Sequence, residues 1–510
     1  MRYGFVINQN RCIGCHACTV ACKEEHNVPI GVNRTWVKYV EKGHYPETQR
    51  HFAVLRCNHC DGAPCVEICP ASALFHSPNG VVDFDNKRCV GCKSCMQACP
   101  YEALYIDPST KTAAKCNFCA HRLETGLKPS CEIVCPTQAI LSGNLDDSTS
   151  AISRIVAQVH TSRRKLEQGT HPKLYYVGVD TDMLQPAALQ LQSTHLWADK
   201  QPKENLYTLL EKKNGAPDSG TARVVYDAPH APSWGRMITS YLWTKSIAAG
   251  VLLVTALLRG TGHSAAGKLL DVTSPAVALA FLTVTTLLLV FDLKRPDRFY
   301  YIFTKANPTS WLVLGSYLLV AYGFFSALWL LFGLAHRSVP DGLFWLTALL
   351  ALGASGYSAF LLAQAKGREF WQSKLLFWHL SFHSVTAGAA TLIIIATFFQ
   401  PEADLLAPLT NLFVLSLLLS LALILLEVMR PSDREEIKRV AALLVRGRLK
   451  QEFWWLAIGM GVFLPLLLIL GANFLSTPNY LHPLASFLAL VGLWVIADLW
   501  IKAGQAFPLS

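Results

Sequence analysis

Near residue 236 the pattern of apolar and polar positions changes. From there onward, apolar residues run in long stretches separated by short polar breaks. About 20 such residues in a helix cross the roughly 30 Å hydrocarbon core of a bilayer. Eight runs are counted, at about 237–258, 274–292, 310–335, 341–364, 372–399, 405–428, 452–475 and 482–502. Residues 236–510 are therefore expected to form an all-α integral membrane domain. The 52% hydrophobic composition and mean hydropathy of +0.30 are high for a water-soluble chain, and the excess lies in this part.

Loop charge gives an orientation, because Lys and Arg are retained on the cytoplasmic side. With eight spans, the loops facing the N-terminal part hold Lys294, Arg295, Arg298, Lys305, Lys366, Arg368, Lys374, Arg430, Arg434, Lys438, Arg439, Arg446, Arg448 and Lys450. The opposite loops hold Arg259, Lys268 and Arg337. Fourteen against three places the N-terminal part in the cytoplasm, at the inner membrane, although arginines that serve an interface would inflate the count. The net charge of +10 is then mostly a topology signal, and no nucleic-acid partner is expected.

A weak repeat divides the membrane part. Span two ends with Asp292 ahead of Arg295-Pro296, and span six with Glu427 ahead of Arg430-Pro431. The next span opens with Trp311 and Gly315 in one half and with Trp455 and Gly459 in the other. Four spans return the chain to the same side, so two parallel four-helix bundles are expected.

Ionisable residues inside a bilayer are costly and mark function by default. Lys245, Asp292, His379, His383, Glu427 and Asp498 fall mostly in the cytoplasmic half of their spans. His379 and His383, four apart, share a helical face suited to a quinone carbonyl or a proton relay. Histidines satisfied by interhelical hydrogen bonds fit equally well, as does a neutralising Lys245–Asp498 pair. Two histidines on one face cannot grip a haem iron from opposite sides, and His263, His336 and His482 fall in far-side loops. No b-type haem is expected.

All sixteen cysteines lie within the first 135 residues, in four groups of four. Cys12, Cys15, Cys18 and Cys22 follow C-x2-C-x2-C-x3-C, as do Cys89, Cys92, Cys95 and Cys99. Cys57, Cys60, Cys65 and Cys69, and Cys116, Cys119, Cys131 and Cys135, keep the closing C-x3-C-P but widen the inner gap. This is the bacterial ferredoxin run, in which three cysteines wrap one [4Fe–4S] cube and the fourth reaches a second. Sixteen thiolates suffice for four clusters. The helix start and Pro-Asn-Gly hairpin between Cys69 and Cys89 join groups two and three into one unit, leaving one and four as the other. The expected sets are Cys57, Cys60, Cys65 with Cys99; Cys89, Cys92, Cys95 with Cys69; Cys12, Cys15, Cys18 with Cys135; and Cys116, Cys119, Cys131 with Cys22.

The opening MRYGFVINQNRC does not read as a signal peptide, so a reducing compartment is expected, which disfavours disulfides. A third cysteine at C-x2-C-x2-C suits a cube better than a tetrahedral zinc knuckle. His16, His59 and His121, woven among the cysteines, read as loop residues near the clusters and not as ligands.

Three units follow: a tandem ferredoxin-like α+β domain over 1–150, a tethering and covering arm over 151–235, and the eight-helix domain over 236–510. In the arm, KLYYVGVD (173–180) reads as a strand, residues 161–173 and 212–221 as loops, and DAPHAPSWG as a Pro-rich approach to the bilayer. No phosphate loop, dinucleotide fingerprint or nucleophile elbow is present.

CIGCHACTVACK, CNHCDGAPCVEICP, CVGCKSCMQACPYEAL and KCNFCAHR with CEIVCPTQAI resemble the four-cluster electron-transfer subunit of membrane molybdopterin oxidoreductases, the group of polysulfide, dimethyl sulfoxide and tetrathionate reductases. The eight-span part, with DLKRPDRFYYIF after its second helix, resembles the NrfD-type polysulfide reductase membrane anchor. The resemblance implies a fusion of two subunits that are usually separate, with a separate molybdopterin catalytic chain as partner. It also implies a quinone, menaquinone or ubiquinone, bound near Asp292, Arg295 and His379, with His383 and Lys245 nominated beside them. The chain would be a non-catalytic part of an oxidoreductase, passing electrons between that partner and the quinone pool. A hydrogenase or multihaem cytochrome partner is the first alternative. Redox-driven ion pumping is the second, although spans three, four and seven carry almost no ionisable residues through their middles.

Overall fold

The computed structural model describes the chain except residues 45, 185–189, 192–221, 229–231, 263–268, 400–402, 431, 433 and 476–479. His263, Lys268, Pro431 and the loop read at 212–221 lie outside the described residues.

Eight apolar helices are long enough to cross a bilayer: Arg236–Gly260, Leu269–Asp292, Trp311–Leu334, Asp341–Gln364, Leu376–Thr397, Leu405–Met429, Glu452–Ala472 and Leu481–Gly504. Span one packs on two and four, and span five on six and eight. The halves meet where span one crosses span five, and span four lies against five as span eight lies against one. This exchange is what two four-helix bundles related by an approximate two-fold axis produce.

The central crossing depends on missing side chains. A Cβ on Gly250 would strike the Ser384 carbonyl, and one on Gly388 would strike the backbone of Gly250. Small residues allow such contact, and in lipid close van der Waals packing is a main source of helix association. Spans seven and eight meet in the same way at Gly461 and Gly492.

The N-terminal part is built around short hairpins. After each C-x3-C-P the proline ends a short helical turn and a strand follows. Leu74–His76 pairs with Val82–Phe84, Leu104–Ile106 with Ala113–Lys115, and Ile140–Asn144 with Tyr3–Asn8. The Pro78-Asn79-Gly80 turn holds Gly80 at φ +77°, where a side chain would be strained. Leu174–Val177, within the strand expected at 173–180, runs parallel to Tyr3–Asn8. Arg223–Tyr226 joins a second sheet beside the long hairpin of Thr35–His44 and Glu47–Arg56. The stretch 151–235 thus contributes strands to both sheets. Residues 161–173 are largely irregular, with a single short turn of helix at Leu166–Gln168.

The two modules are locked by polar contacts. Asn307 Nδ2 donates to the carbonyls of Val66, Glu67 and Cys69, and Ser310 Oγ to that of Ile68. Arg368 reaches Gln97 Oε1 at 2.9 Å and the Phe507 carbonyl at 2.9 Å. Glu102 accepts from the amides of Leu509 and Ser510.

Gly388→Val should wedge the two bundles apart and lower stability by at least the ~1–3 kcal/mol typical of overpacking. Gly471→Val, at a position with nothing within 4 Å, should be nearly silent. Thermal unfolding in detergent compares the two.

Candidate functional site

The sixteen thiols are all free. Cys69, Cys89, Cys92 and Cys95 line one cavity, and Cys22, Cys116, Cys119 and Cys131 line another. Each combines three cysteines of one loop with the last cysteine of another group. Proximity among the rest shows in how the thiolates oppose one another's ionisation. Burial pushes the Cys65 thiol up, and Cys99, Cys57 and Cys60 add to it. Burial also raises Cys12, with Cys135 and Cys15 adding.

Backbone shape explains the grouping. Gly14 and Gly91 occupy equivalent positions at φ +69° and +70°, and His16 and Lys93 follow at 59° and 65°. These left-handed residues between cysteines curl each loop so that its thiols point inward. His59 (φ 44°) and Phe118 (φ 63°) do the same in the other two groups.

Clustered buried thiolates are unstable unless a cation sits among them, which an iron–sulfur core supplies. Among the described residues no three His, Cys, Asp or Glu side chains converge as one metal ion requires. Four thiols around one cavity fit an iron–sulfur core.

The sets also have an order. Cys95 feels Cys65, Cys116 feels Cys57, and Cys18, pushed up to about 11 chiefly by burial, feels Cys131. The line runs from Cys69/Cys89/Cys92/Cys95, through Cys57/Cys60/Cys65/Cys99 and Cys22/Cys116/Cys119/Cys131, to Cys12/Cys15/Cys18/Cys135.

The first end of this line meets the membrane domain. The amides of Lys294 and Arg295 donate to the carbonyls of Gly91 and Val90, and Lys93 Nζ lies 2.9 Å from Asp292 Oδ1. Directly below is a cavity of about 430 Å³ between spans one to four, roofed by Cys92, Ser94 and Trp234. Its walls are mostly aliphatic, with Asp292, Tyr241, Tyr357, Ser358, Ser316, Thr283 and Thr286 among the polar groups. Tyr241 Oη bonds to Tyr357 Oη and, at 3.0 Å, to Ser358 Oγ. Lys245 Nζ donates to Ser358 Oγ at 2.9 Å. Phe299, Phe303, Val320 and Phe324 line the outer side and are themselves exposed, so the cavity opens sideways toward lipid.

Of the nominated residues, Asp292 lines the cavity and Lys245 stands one hydrogen bond behind it. Arg295 does not reach it, because its guanidinium turns to Asp297 at 2.8 Å. His379 and His383 do not line it either, although span five crosses span one and His383 Nδ1 lies 3.4 Å from Ser246 Oγ at that crossing. His379 Nδ1 lies 2.7 Å from Glu427 Oε2, and His383 Nε2 lies 3.1 Å from the Leu493 carbonyl. Asp498 pairs with Lys502 at 2.6 Å, and the suggested Lys245–Asp498 pair does not form. Sequence reading missed Tyr241, Tyr357 and Ser358, which carry no charge in an apolar run, and Trp234, which lies in the Pro-rich approach ahead of span one. Among the histidines of the cysteine loops, His121 bonds Glu25 at 2.6 Å and His16 packs edge-on to Tyr226. The ring nitrogens of His59 are buried without a partner. His26, passed over in the sequence, lies 3.2 Å from Cys119 Sγ.

Fold and site together define a multi-pass membrane protein with iron–sulfur clusters that transfers electrons. The family described as polysulphide reductase, NrfD matches residues 225–509, a 4Fe-4S dicluster domain matches 48–145, and a 4Fe-4S binding domain matches 3–24. The protein belongs to the NrfD polysulphide reductase family, with a ferredoxin-type part fused ahead of the membrane anchor. It is 47% identical over 180 residues to Protein NrfC of Escherichia coli (strain K12), covering 35% of this chain and 81% of that one. It is 42% identical to a tetrathionate reductase subunit of Salmonella typhimurium, covering 39% and 80%. To a polysulfide reductase subunit of Wolinella succinogenes it is 41% identical, covering 34% and 94%.

Cys22→Ser should remove the cluster shared with Cys116, Cys119 and Cys131 and spare the one held by Cys12, Cys15 and Cys18. Electron paramagnetic resonance (EPR) of the reduced variant distinguishes the two, and loss of the latter signal would refute the swapped assignment.

Proposed function

We propose that the chain carries electrons between a membrane quinone and a separate catalytic subunit through four [4Fe–4S] clusters, using all sixteen cysteines as ligands. The observation that carries this reading is the apolar cavity roofed by Cys92. A quinone ring entering from lipid between spans two and three would lie directly under the inner cysteine set. Pockets of this size lined by apolar walls and a few convergent polar groups suit such a ligand.

Quinol oxidation releases two electrons and two protons, and quinone reduction takes up the same. The electrons pass singly along the four sets. The protons move at Asp292 and along the hydrogen-bond chain of Tyr357, Tyr241 and Ser358, with Lys245 behind it. Chemistry on the terminal substrate is assigned to the partner. Exposed Cys15 and Ile13 mark the outer end where electrons leave or enter.

The relatives named as reductase subunits support a reductase catalytic chain as that partner, and a molybdopterin centre fits this role. Loop charge supports a cytoplasmic position for the cluster module. Lys294, Arg295, Arg298, Lys366 and Arg368 contact that module, yet without them the count is still nine against three.

Purified protein should show cluster reduction by a short-chain quinol, and Asp292→Asn or Tyr357→Phe should slow it by about 100-fold, the lower end of the usual range for a lost proton-transfer group, with iron content unchanged. Equal rates in both variants would remove the quinone from this cavity. Gentle detergent isolation should bring down a large subunit with molybdenum or tungsten. Nickel or a multihaem partner in its place would redirect the assignment.

A further inference from the structure

Hydrogen bonding to the four cysteine sets is uneven. Backbone amides approach all four: His59 N to Cys57 Sγ at 3.5 Å, Ala73 N to Cys69 at 3.2 Å, Ala113 N to Cys89 at 3.3 Å, Ala139 N to Cys135 at 3.2 Å, and in the last set the amides of Phe118 at Cys116 and Ser130 at Cys119. That last set also has His26 Nε2 at 3.2 Å from Cys119 Sγ, and Arg56 Nη1 donates to Cys131 Sγ at 2.9 Å. Among the described residues it is the one set that receives a guanidinium.

Arg56 is 1% exposed and lies over the Phe5 ring at 4.6 Å. It ends the strand Glu47–Arg56, where pairing with Thr35 fixes its backbone, and it immediately precedes Cys57. No carboxylate pairs with it among the described residues. Its Nε and Nη2 are buried without a protein partner, and it lines the same cavity as Cys22, Cys116, Cys119 and Cys131. The nearby buried Lys115 differs, because its ammonium donates to the carbonyls of Val82 and Cys116 and not to sulfur. A buried guanidinium with two idle donors is costly unless negative charge faces it, and that charge must lie in the cavity.

We propose that Arg56 aims its free N–H groups at the cluster held by Cys22, Cys116, Cys119 and Cys131 and makes it the first of the four to accept an electron. This rests on the cluster reading above. One-electron reduction adds a negative charge with no proton, the electron coming from quinol or from the catalytic partner. A fixed cation at hydrogen-bond distance in a low-dielectric interior favours the more negative form, and hydrogen bonds to sulfur are among the determinants of cluster potential. The third set from the membrane then holds the resting electron, one step short of the outer end.

The test is an EPR-monitored redox titration of the full chain, grown with nitrogen-15 arginine. The first cluster signal to appear should show coupling to an arginine nitrogen in pulsed measurements. Arg56→Gln should weaken that cluster's hold on its electron at least tenfold, about 59 mV for a one-electron couple, with a smaller shift in the outer set, whose Cys18 also faces Arg56, and the two inner midpoints left in place. Arg56→Lys, which keeps the charge but loses the fork, should recover part of the shift. Absence of arginine coupling in the unmodified chain would overturn the proposal even if Arg56→Gln failed to assemble. Iron short of four clusters in the unmodified chain would overturn the cluster reading instead.

Discussion

The cysteine loop Cys89–Cys95 rests on the membrane helices through backbone hydrogen bonds and one buried ion pair, Lys93 with Asp292. Both partners are nearly covered, with side chains 8% and 12% exposed. Such a pair contributes little net stability against a well-packed apolar alternative, but breaking it strands a buried charge at a cost of about 3–5 kcal/mol. It therefore acts as a register pin more than as glue. If the loop slid by one residue, Gly91 would lose its place against Lys294, where a Cβ would meet the Lys294 side chain at 2.7 Å. The roof of the cavity, the nearest cysteine set and the end of span two are all placed by this contact.

The two bundles share a plan but not a content. Asp292 and Glu427 end equivalent helices. In the first half the space beside Asp292 is open and lined by Tyr241 and Tyr357. In the second, Glu427 bonds His379, and the Trp500 ring closes on that histidine at 4.8 Å. The approximate two-fold axis thus yields one hollow bundle and one filled bundle. The loop Cys89–Cys95 lies over the hollow one, and residues 505–510 fold under the cluster module beside the other. Trp234 and Trp371, stacked at 5.5 Å, form the seam between them.

Periodicity and length made the eight spans legible, because hydrocarbon thickness leaves little freedom. The cysteine sets were legible for a similar reason: a cube imposes its spacing on any loop that wraps it. The cavity was only half legible. Charge within an apolar run drew notice to Asp292 and Lys245, but equally to His379, which turns to Glu427, and His383, which sits at the crossing of spans one and five. Which face a buried helix turns to which neighbour depends on crossings such as Gly250 with Gly388, and small residues leave little trace in a hydropathy pattern. The hairpin of Thr35–His44 and Glu47–Arg56 escaped notice because both its faces are largely covered where Trp36, Val37 and Lys38 lie, so strict alternation is lost. Arg56, at the end of that hairpin, was hidden with it.

The sideways opening at Phe299, Phe303, Val320 and Phe324 has a consequence for how occupancy is counted. A ligand that arrives from the acyl-chain layer is governed by its mole fraction among lipids and not by its amount per volume of buffer. Adding water to a suspension of such vesicles leaves the cavity as full as before, whereas fusing them with empty bilayers empties it. Apparent affinities for this protein therefore scale with the quantity of membrane in the tube.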